Sequence, residues 1–104
     1  METIARLEQW FVEQCNGDWE HQYGLSIGSL DNPGWRLTID LVGTALETRQ
    51  FTIIERLEAE SDWMRCWTEN KRFNAACGPR MLQNAMKVFL DWAEGLEPNM
   101  NLAT

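Results

Sequence analysis

The stretch YGLSIGSLDNPGWRLTIDL, residues 23–41, decides the fold class. Apolar residues alternate with small or polar residues from Tyr23 to Ile27 and again from Trp35 to Leu41. A period of two is typical of strands that bury one face. Between the two runs, Asp31-Asn32-Pro33-Gly34 predicts a type II turn, because proline presets the first central φ and glycine supplies the positive φ of the second. The sequence therefore predicts an antiparallel hairpin.

A helix is predicted on each side of this hairpin. Residues 2–15 carry apolar side chains at helical spacing, with Thr3 as a possible cap and Asn16-Gly17 as the end signal. Gly78-Pro79 is predicted to open the last helix, since proline loses no hydrogen bond in a first turn. Gly95 is predicted to end that helix.

Three further strands complete the predicted sheet. The first covers residues 49–58, the second covers residues 63–69, and the last contains Phe73 and follows a turn at Asn70-Lys71. The predicted fold is α+β, an antiparallel sheet of four or five strands with the N-terminal and C-terminal helices packed on one face. The opposite face would carry small or polar side chains, namely Gly24, Ser26, Gly28, Arg36, Thr38 and Asp40.

The 104 residues fit a single domain, predicted over residues 1–95, with residues 96–104 as a flexible C-terminal tail. The start of the chain lacks the apolar region of a signal peptide, and no run reaches the roughly 20 apolar residues of a membrane span. The cysteines number three, an odd count. These features predict a cytoplasmic protein with reduced thiols.

The formal net charge of -7 opposes binding to nucleic acid or to an anionic membrane. It favours a basic protein partner, or it serves solubility alone. The oligomeric state stays open.

Few residues could carry catalysis. His21 is the one histidine, and it is interpreted as a structural residue just before the first strand. A metal site would have to combine His21 with Cys15, Cys66 and Cys77, which lack the close spacing of zinc ligands. No nucleotide-binding or cofactor-binding motif is present, so the sequence predicts no catalytic residue, no metal and no cofactor.

Cys77 is the most serious candidate nucleophile. It directly precedes the predicted start of the last helix, where a helix dipole lowers the pKa of a thiol. One alternative function is therefore a small thiol enzyme of sulfurtransferase type that uses Cys77. A structural adaptor domain is another alternative.

Several segments resemble the bacterial immunity protein 53 family. They include Gly17-Asp18-Trp19-Glu20-His21, Leu30-Asp31-Asn32-Pro33-Gly34-Trp35 and Phe89-Leu90-Asp91-Trp92, and the resemblance covers roughly residues 5–93. Two positions depart from the pattern: Asn16 replaces an aspartate, and Ala75-Ala76-Cys77 replaces a more glycine-rich stretch.

The resemblance implies an immunity protein that binds and neutralises a toxin encoded beside it, without a catalytic site of its own. An acidic inhibitor can cover the basic cleft of a toxin, and complementary fields accelerate such an association. The predicted partner is a basic cognate toxin. The predicted contact residues lie around the first hairpin: Asp18, Trp19, Glu20, Asp31, Asn32 and Asp40.

Overall fold

The computed structural model describes residues 2–96 and contains three helices and five strands within that range. The helices are α1 (Thr3–Gln14), the four-residue α2 (Trp19–Gln22) and α3 (Leu82–Ala93). The strands are β1 (Leu25–Leu30), β2 (Gly34–Asp40), β3 (Ile54–Leu57), β4 (Trp63–Glu69) and β5 (Arg72–Cys77). The predicted α+β class is confirmed, with five strands in the sheet.

All strand pairs are antiparallel, and the strand order is β1-β2-β5-β4-β3. The chain builds the β1–β2 hairpin first and then crosses to the far edge through residues 41–53. Strands β3, β4 and β5 return as a meander, which ends when β5 pairs with β2. The pairing of β2 with β5 therefore joins two strands that are distant in sequence.

One face of the sheet forms the core beneath the two long helices. Leu37, Ile39, Phe73 and Cys66 are almost fully buried on this face. Helix α3 lies over the central strands, and α1 packs beside α3 through an edge-to-face contact between Trp10 and Phe89 at 4.9 Å. The prediction that both helices cover one face is confirmed.

The long connection between β2 and β3 is fastened to the end of α3. The Arg49 guanidinium donates to the carbonyl oxygen of Trp92 at 2.9 Å, and the Trp92 indole donates to the carbonyl oxygen of Gln50 at 2.9 Å. The Phe51 ring packs edge-to-face on Phe73 and on Trp92. These contacts hold an irregular segment against the core.

Some predicted boundaries are wrong. Thr3 is buried inside α1, and Glu2 occupies the cap position. Helix α3 begins at Leu82, so Pro79 lies before the helix and not in its first turn. The third strand is only Ile54–Leu57, because residues 49–53 belong to the connection on α3. The short helix α2, which contains His21, was not predicted.

The prediction of a type II turn at the hairpin is also wrong. The Asn32–Pro33 peptide bond is cis, and Gly34 does not have a positive φ. Gly34 is needed for another reason: a β-carbon there would overlap the carbonyl oxygen of Cys77 and lie 3.2 Å from the Trp63 ring. By contrast, Asn70 and Lys71 both have positive φ, as expected of a tight hairpin turn, which confirms the turn before β5.

Within residues 2–96, no helix has the length and apolar character that a membrane crossing requires. Gly95 has a φ of 80° and follows the end of α3, as predicted. Except for Leu96, the predicted tail of residues 96–104 lies outside the described residues.

Candidate binding surface

The sheet face turned away from the helices, here called the open face, carries no helix of residues 2–96. Its central row runs across all five strands as Gly28, Arg36, Ala76, Arg65 and Glu55. The two arginines of this row flank Ala76 and lie about 10 Å apart, which is twice the strand spacing. The surface is thus low at its centre, with an arginine on each side of it.

Two of the three arginines on the open face have their charge compensated. Arg72 donates to Asp40 at 2.8 Å, and Arg65 lies 3.5 Å from a Glu55 carboxylate oxygen. The Arg65 guanidinium also lies over the Trp67 ring, 5.1 Å from its centroid. The Arg36 side chain is exposed and makes no hydrogen bond or ion pair with any residue between 2 and 96.

Trp63 covers the open face near the hairpin turn. Its ring would lie 3.2 Å from a β-carbon at Gly34 and 3.3 Å from one at Gly78. Both glycines therefore permit close packing. Gly24 and Gly28 differ, because an added β-carbon at either position would meet no atom within 4 Å, and neither has a positive φ.

Asp40 anchors the end of the hairpin opposite the turn. One carboxylate oxygen accepts a hydrogen bond from the Gly24 backbone N–H at 3.0 Å, and the other accepts from Arg72. Beside them, the Ser26 and Thr38 hydroxyl groups are hydrogen bonded at 2.7 Å. These residues line a shallow depression of about 330 Å³ on the open face. Asp40 thus has a structural role and lies at the rim of this surface.

Trp19 is a core residue. Its side chain is 6% exposed, and its indole donates to the carbonyl oxygen of Val42 at 2.7 Å. Its ring contacts Trp10, Phe11 and Tyr23. The ring therefore joins α1 to the loop after β2 and does not reach the surface.

Asp18 and Glu20 lie at the same end of the hairpin as Asp40, but they have different environments. Glu20 accepts hydrogen bonds from the backbone N–H groups of Asn16 at 2.9 Å and Gly17 at 2.8 Å. Its own backbone N–H and then these two lower the pKa of the Glu20 carboxyl. The Asp18 side chain is exposed, and among residues 2–96 its carboxylate accepts a hydrogen bond from the Gln22 side chain alone, at 3.2 Å. Glu20 therefore shapes the loop, while Asp18 is accessible to a partner.

Asp31 and Asn32 are exposed at the hairpin turn, at the other end of β1 and β2. Six strand positions separate this turn from Gly24, which corresponds to roughly 20 Å. The predicted contact residues therefore do not form one cluster. They lie at both ends of the hairpin, with the open face of β1 and β2 between them.

The thiols are not activated. Cys77 is the last residue of β5 and is 1% exposed, and burial raises the pKa of its thiol to about 11. Burial also raises the pKa of Cys66 to about 12. Because α3 begins only at Leu82, its dipole does not act on Cys77 at close range. The Cys77 nucleophile would need a thiol with a lowered pKa and a position at the start of a helix, and Cys77 has neither.

The remaining candidates for chemistry are dispersed. His21 is exposed in α2, and the half-buried Cys15 thiol donates to the carbonyl oxygen of Phe11. In the part of the chain that the structure describes, no three His, Cys, Asp or Glu side chains are placed to hold a metal ion.

Arg36, Arg65, Trp63 and Trp67 were not among the predicted contact residues. The alternation in β4 contained a usable signal, because Trp63, Arg65 and Trp67 alternate with the buried Met64 and Cys66. That pattern places the two tryptophans and the arginine on the open face. Predicting that Arg36 lies between Gly28 and Ala76 would require knowledge of the strand order, which local sequence patterns do not reveal.

A protein-family model described as Immunity protein 53 matches residues 4–94. No curated protein matches the chain, and no solved structure matches it. The family match agrees with the resemblance that the sequence segments indicate.

Proposed function

Because the chain belongs to the immunity protein 53 family, we propose that it binds and neutralises a toxin encoded beside it. The family match over residues 4–94 is the observation that carries this proposal. In this role the protein acts by occupying a surface of the toxin and catalyses no reaction. The three free thiols suit a reducing compartment, so we place this action in the cytoplasm.

The proposed mechanism is coverage of a basic toxin surface by an acidic one. The net charge of -7 would attract a basic toxin at long range. At short range, the exposed Asp18 and Asp31 mark the two ends of the hairpin, and Asn32 and Asp40 lie beside them. Glu20 supports this surface by shaping the loop before α2. Trp19 supports it from the core.

The size of the surface suits this mechanism. The open face of the hairpin spans roughly 20 Å between its two acidic ends. A standard protein interface buries about 800 Å² on each partner, so one toxin can contact both ends at once. Charges at the rim of such an interface increase the association rate, and residues at its centre supply most of the affinity.

The decisive experiment uses the product of the neighbouring gene. The toxin domain is expressed under tight control with and without this protein, and cell survival is measured. Complex formation between the purified proteins is measured by calorimetry. We expect survival and a complex of defined stoichiometry. Absence of both would contradict the proposed function.

A further inference from the structure

The toxin contact can be narrowed to one position on the open face. Arg36 is the one arginine on this face whose charge no side chain of residues 2–96 compensates. Its two neighbours in the row, Gly28 and Ala76, have the smallest side chains available. No large side chain therefore stands directly opposite Arg36 on either neighbouring strand, and its exposed guanidinium is accessible to a partner.

Gly28 provides a second, independent observation. Glycine weakens a strand because it loses more backbone entropy on folding than other residues do. Neither φ nor packing requires glycine here, since the space above Gly28 is empty. The contrast with Gly34, where a β-carbon would overlap the Cys77 carbonyl oxygen, is direct. Glycine inside a strand often marks a place where another backbone approaches closely.

Resting on the proposed function, we infer that a segment of the toxin lies with its backbone against Gly28 and presents a carboxylate to Arg36. A guanidinium binds a carboxylate through two parallel hydrogen bonds, which gives both strength and orientation. Arginine and tryptophan are also the side chains that most often dominate binding energy. Trp67, which carries the Arg65 guanidinium over its ring, lies on the same face.

This arrangement explains how one surface can combine acidic and basic groups. The acidic residues lie at the ends of the hairpin, where they attract a basic toxin. Arg36 lies midway along β2, where an acidic toxin residue would fix the register of the complex. Long-range attraction and short-range specificity then depend on charges of opposite sign.

The first test compares two substitutions to threonine on the same strand. Gly28→Thr fills the space on the open face, whereas Ser29→Thr adds a methyl group on the opposite face. We expect Gly28→Thr to weaken toxin affinity at least about tenfold and Ser29→Thr less than about twofold. Thermal unfolding of the free proteins serves as a folding control. Equal affinities for the two variants would overturn the inference.

The second test compares two arginines that make no ion pair with any of residues 2–96. Arg36→Ala and Arg80→Ala change the net charge equally, but Arg80 precedes α3 and is not part of the sheet. We expect at least about a tenfold loss of affinity for Arg36→Ala and little change for Arg80→Ala. Arg36→Lys keeps the charge without the bidentate geometry and is expected to bind with intermediate affinity.

The third test concerns the carboxylate. Arg36→Glu should abolish protection, and Asp→Arg or Glu→Arg substitutions in the toxin are screened for one that restores binding to this variant. A single restoring position supports the inference, and failure of every acidic position overturns the carboxylate contact. If the wild-type protein binds the toxin and the Gly28 and Arg36 variants bind it equally well, this inference fails but the proposed function stands. If the wild-type protein does not bind, the proposed function fails with it.

Discussion

The Trp92 indole donates a hydrogen bond to the carbonyl oxygen of Gln50 at 2.9 Å. Trp92 lies near the end of α3, and Gln50 belongs to the connection that crosses from β2 to β3. The neighbouring Arg49 donates back to the Trp92 carbonyl oxygen. This pair of contacts joins the irregular part of the chain to the core.

Trp92→Phe should therefore destabilise the protein. The substitution keeps an aromatic ring but removes the donor to Gln50 and leaves a small cavity, with an expected loss of about 1–3 kcal/mol in the free energy of unfolding. Urea denaturation followed by fluorescence measures the loss. Trp67→Phe is the matched control, because its indole N–H donates to the side chain of the exposed Glu69 at 3.3 Å, outside the core. A larger loss for Trp67→Phe would contradict the role assigned to Trp92.

Alanine at Gly28 and at Gly34 should shift stability in opposite directions. At Gly28 the new β-carbon meets empty space. Alanine also lowers the backbone entropy of the unfolded chain, so the free energy of unfolding should rise by about 0.5–1 kcal/mol. At Gly34 it overlaps the Cys77 carbonyl oxygen, so a loss of about 1–3 kcal/mol is expected. Chemical denaturation of the two variants measures both shifts. Shifts of the same sign would refute this explanation of the two glycines.

Stability should fall at alkaline pH because of the buried thiols. Burial raises the pKa of Cys66 to about 12 and that of Cys77 to about 11, whereas both titrate near about 8.5 in an unfolded chain. The unfolded state thus loses these protons first. The protonated thiols make their full contribution to the free energy of unfolding below about pH 8. Between about pH 8.5 and 11 this free energy falls by roughly 1.4 kcal/mol per pH unit for each thiol.

Denaturation at several pH values, with a reductant present, measures this dependence. The Cys66→Ala/Cys77→Ala double variant is expected to be less stable at pH 7 but to lose less stability as pH rises. The other titrating groups are common to both proteins. Identical slopes for the two would show that the thiols do not cause the alkaline loss.

Charge reversal at the ends of the hairpin should slow toxin association. The Asp18→Lys/Asp31→Lys variant is compared with Glu8→Lys/Glu13→Lys, which reverses two charges on α1 instead. We expect the hairpin variant to associate about three- to tenfold more slowly at low salt and nearly normally at high salt. Stopped-flow mixing measures the rates. Equal slowing by both variants would assign the attraction to net charge alone.

Much of the fold follows from short-range patterns. The period of two at Leu37 and Ile39 predicts the buried side of β2, and the β4 boundaries agree with the structure. The predicted element boundaries were wrong where one residue type suits two kinds of local structure. Proline suits the first turn of a helix, but Pro79 belongs to the loop between β5 and α3, where its carbonyl oxygen accepts a hydrogen bond from the Trp35 indole at 2.9 Å.

The candidate surface was harder to predict than the fold. Trp19 stands among acidic residues in the sequence, which suggested exposure, but a four-residue helix has no periodicity to indicate its buried side. Asp31 and Asp40 flank one hairpin, yet they lie at opposite ends of it because each strand is extended. The row that contains Arg36 depends on the pairing of β2 with β5, which is a property of the whole fold.

That central pairing has a consequence for protein synthesis. The β1–β2 hairpin is synthesised before β5, so β2 has only β1 as a sheet partner until the meander is complete. The neighbours Arg36 and Ala76 come together only in this last step. A nascent or truncated chain therefore lacks the surface inferred for toxin binding, and only finished copies would protect the cell.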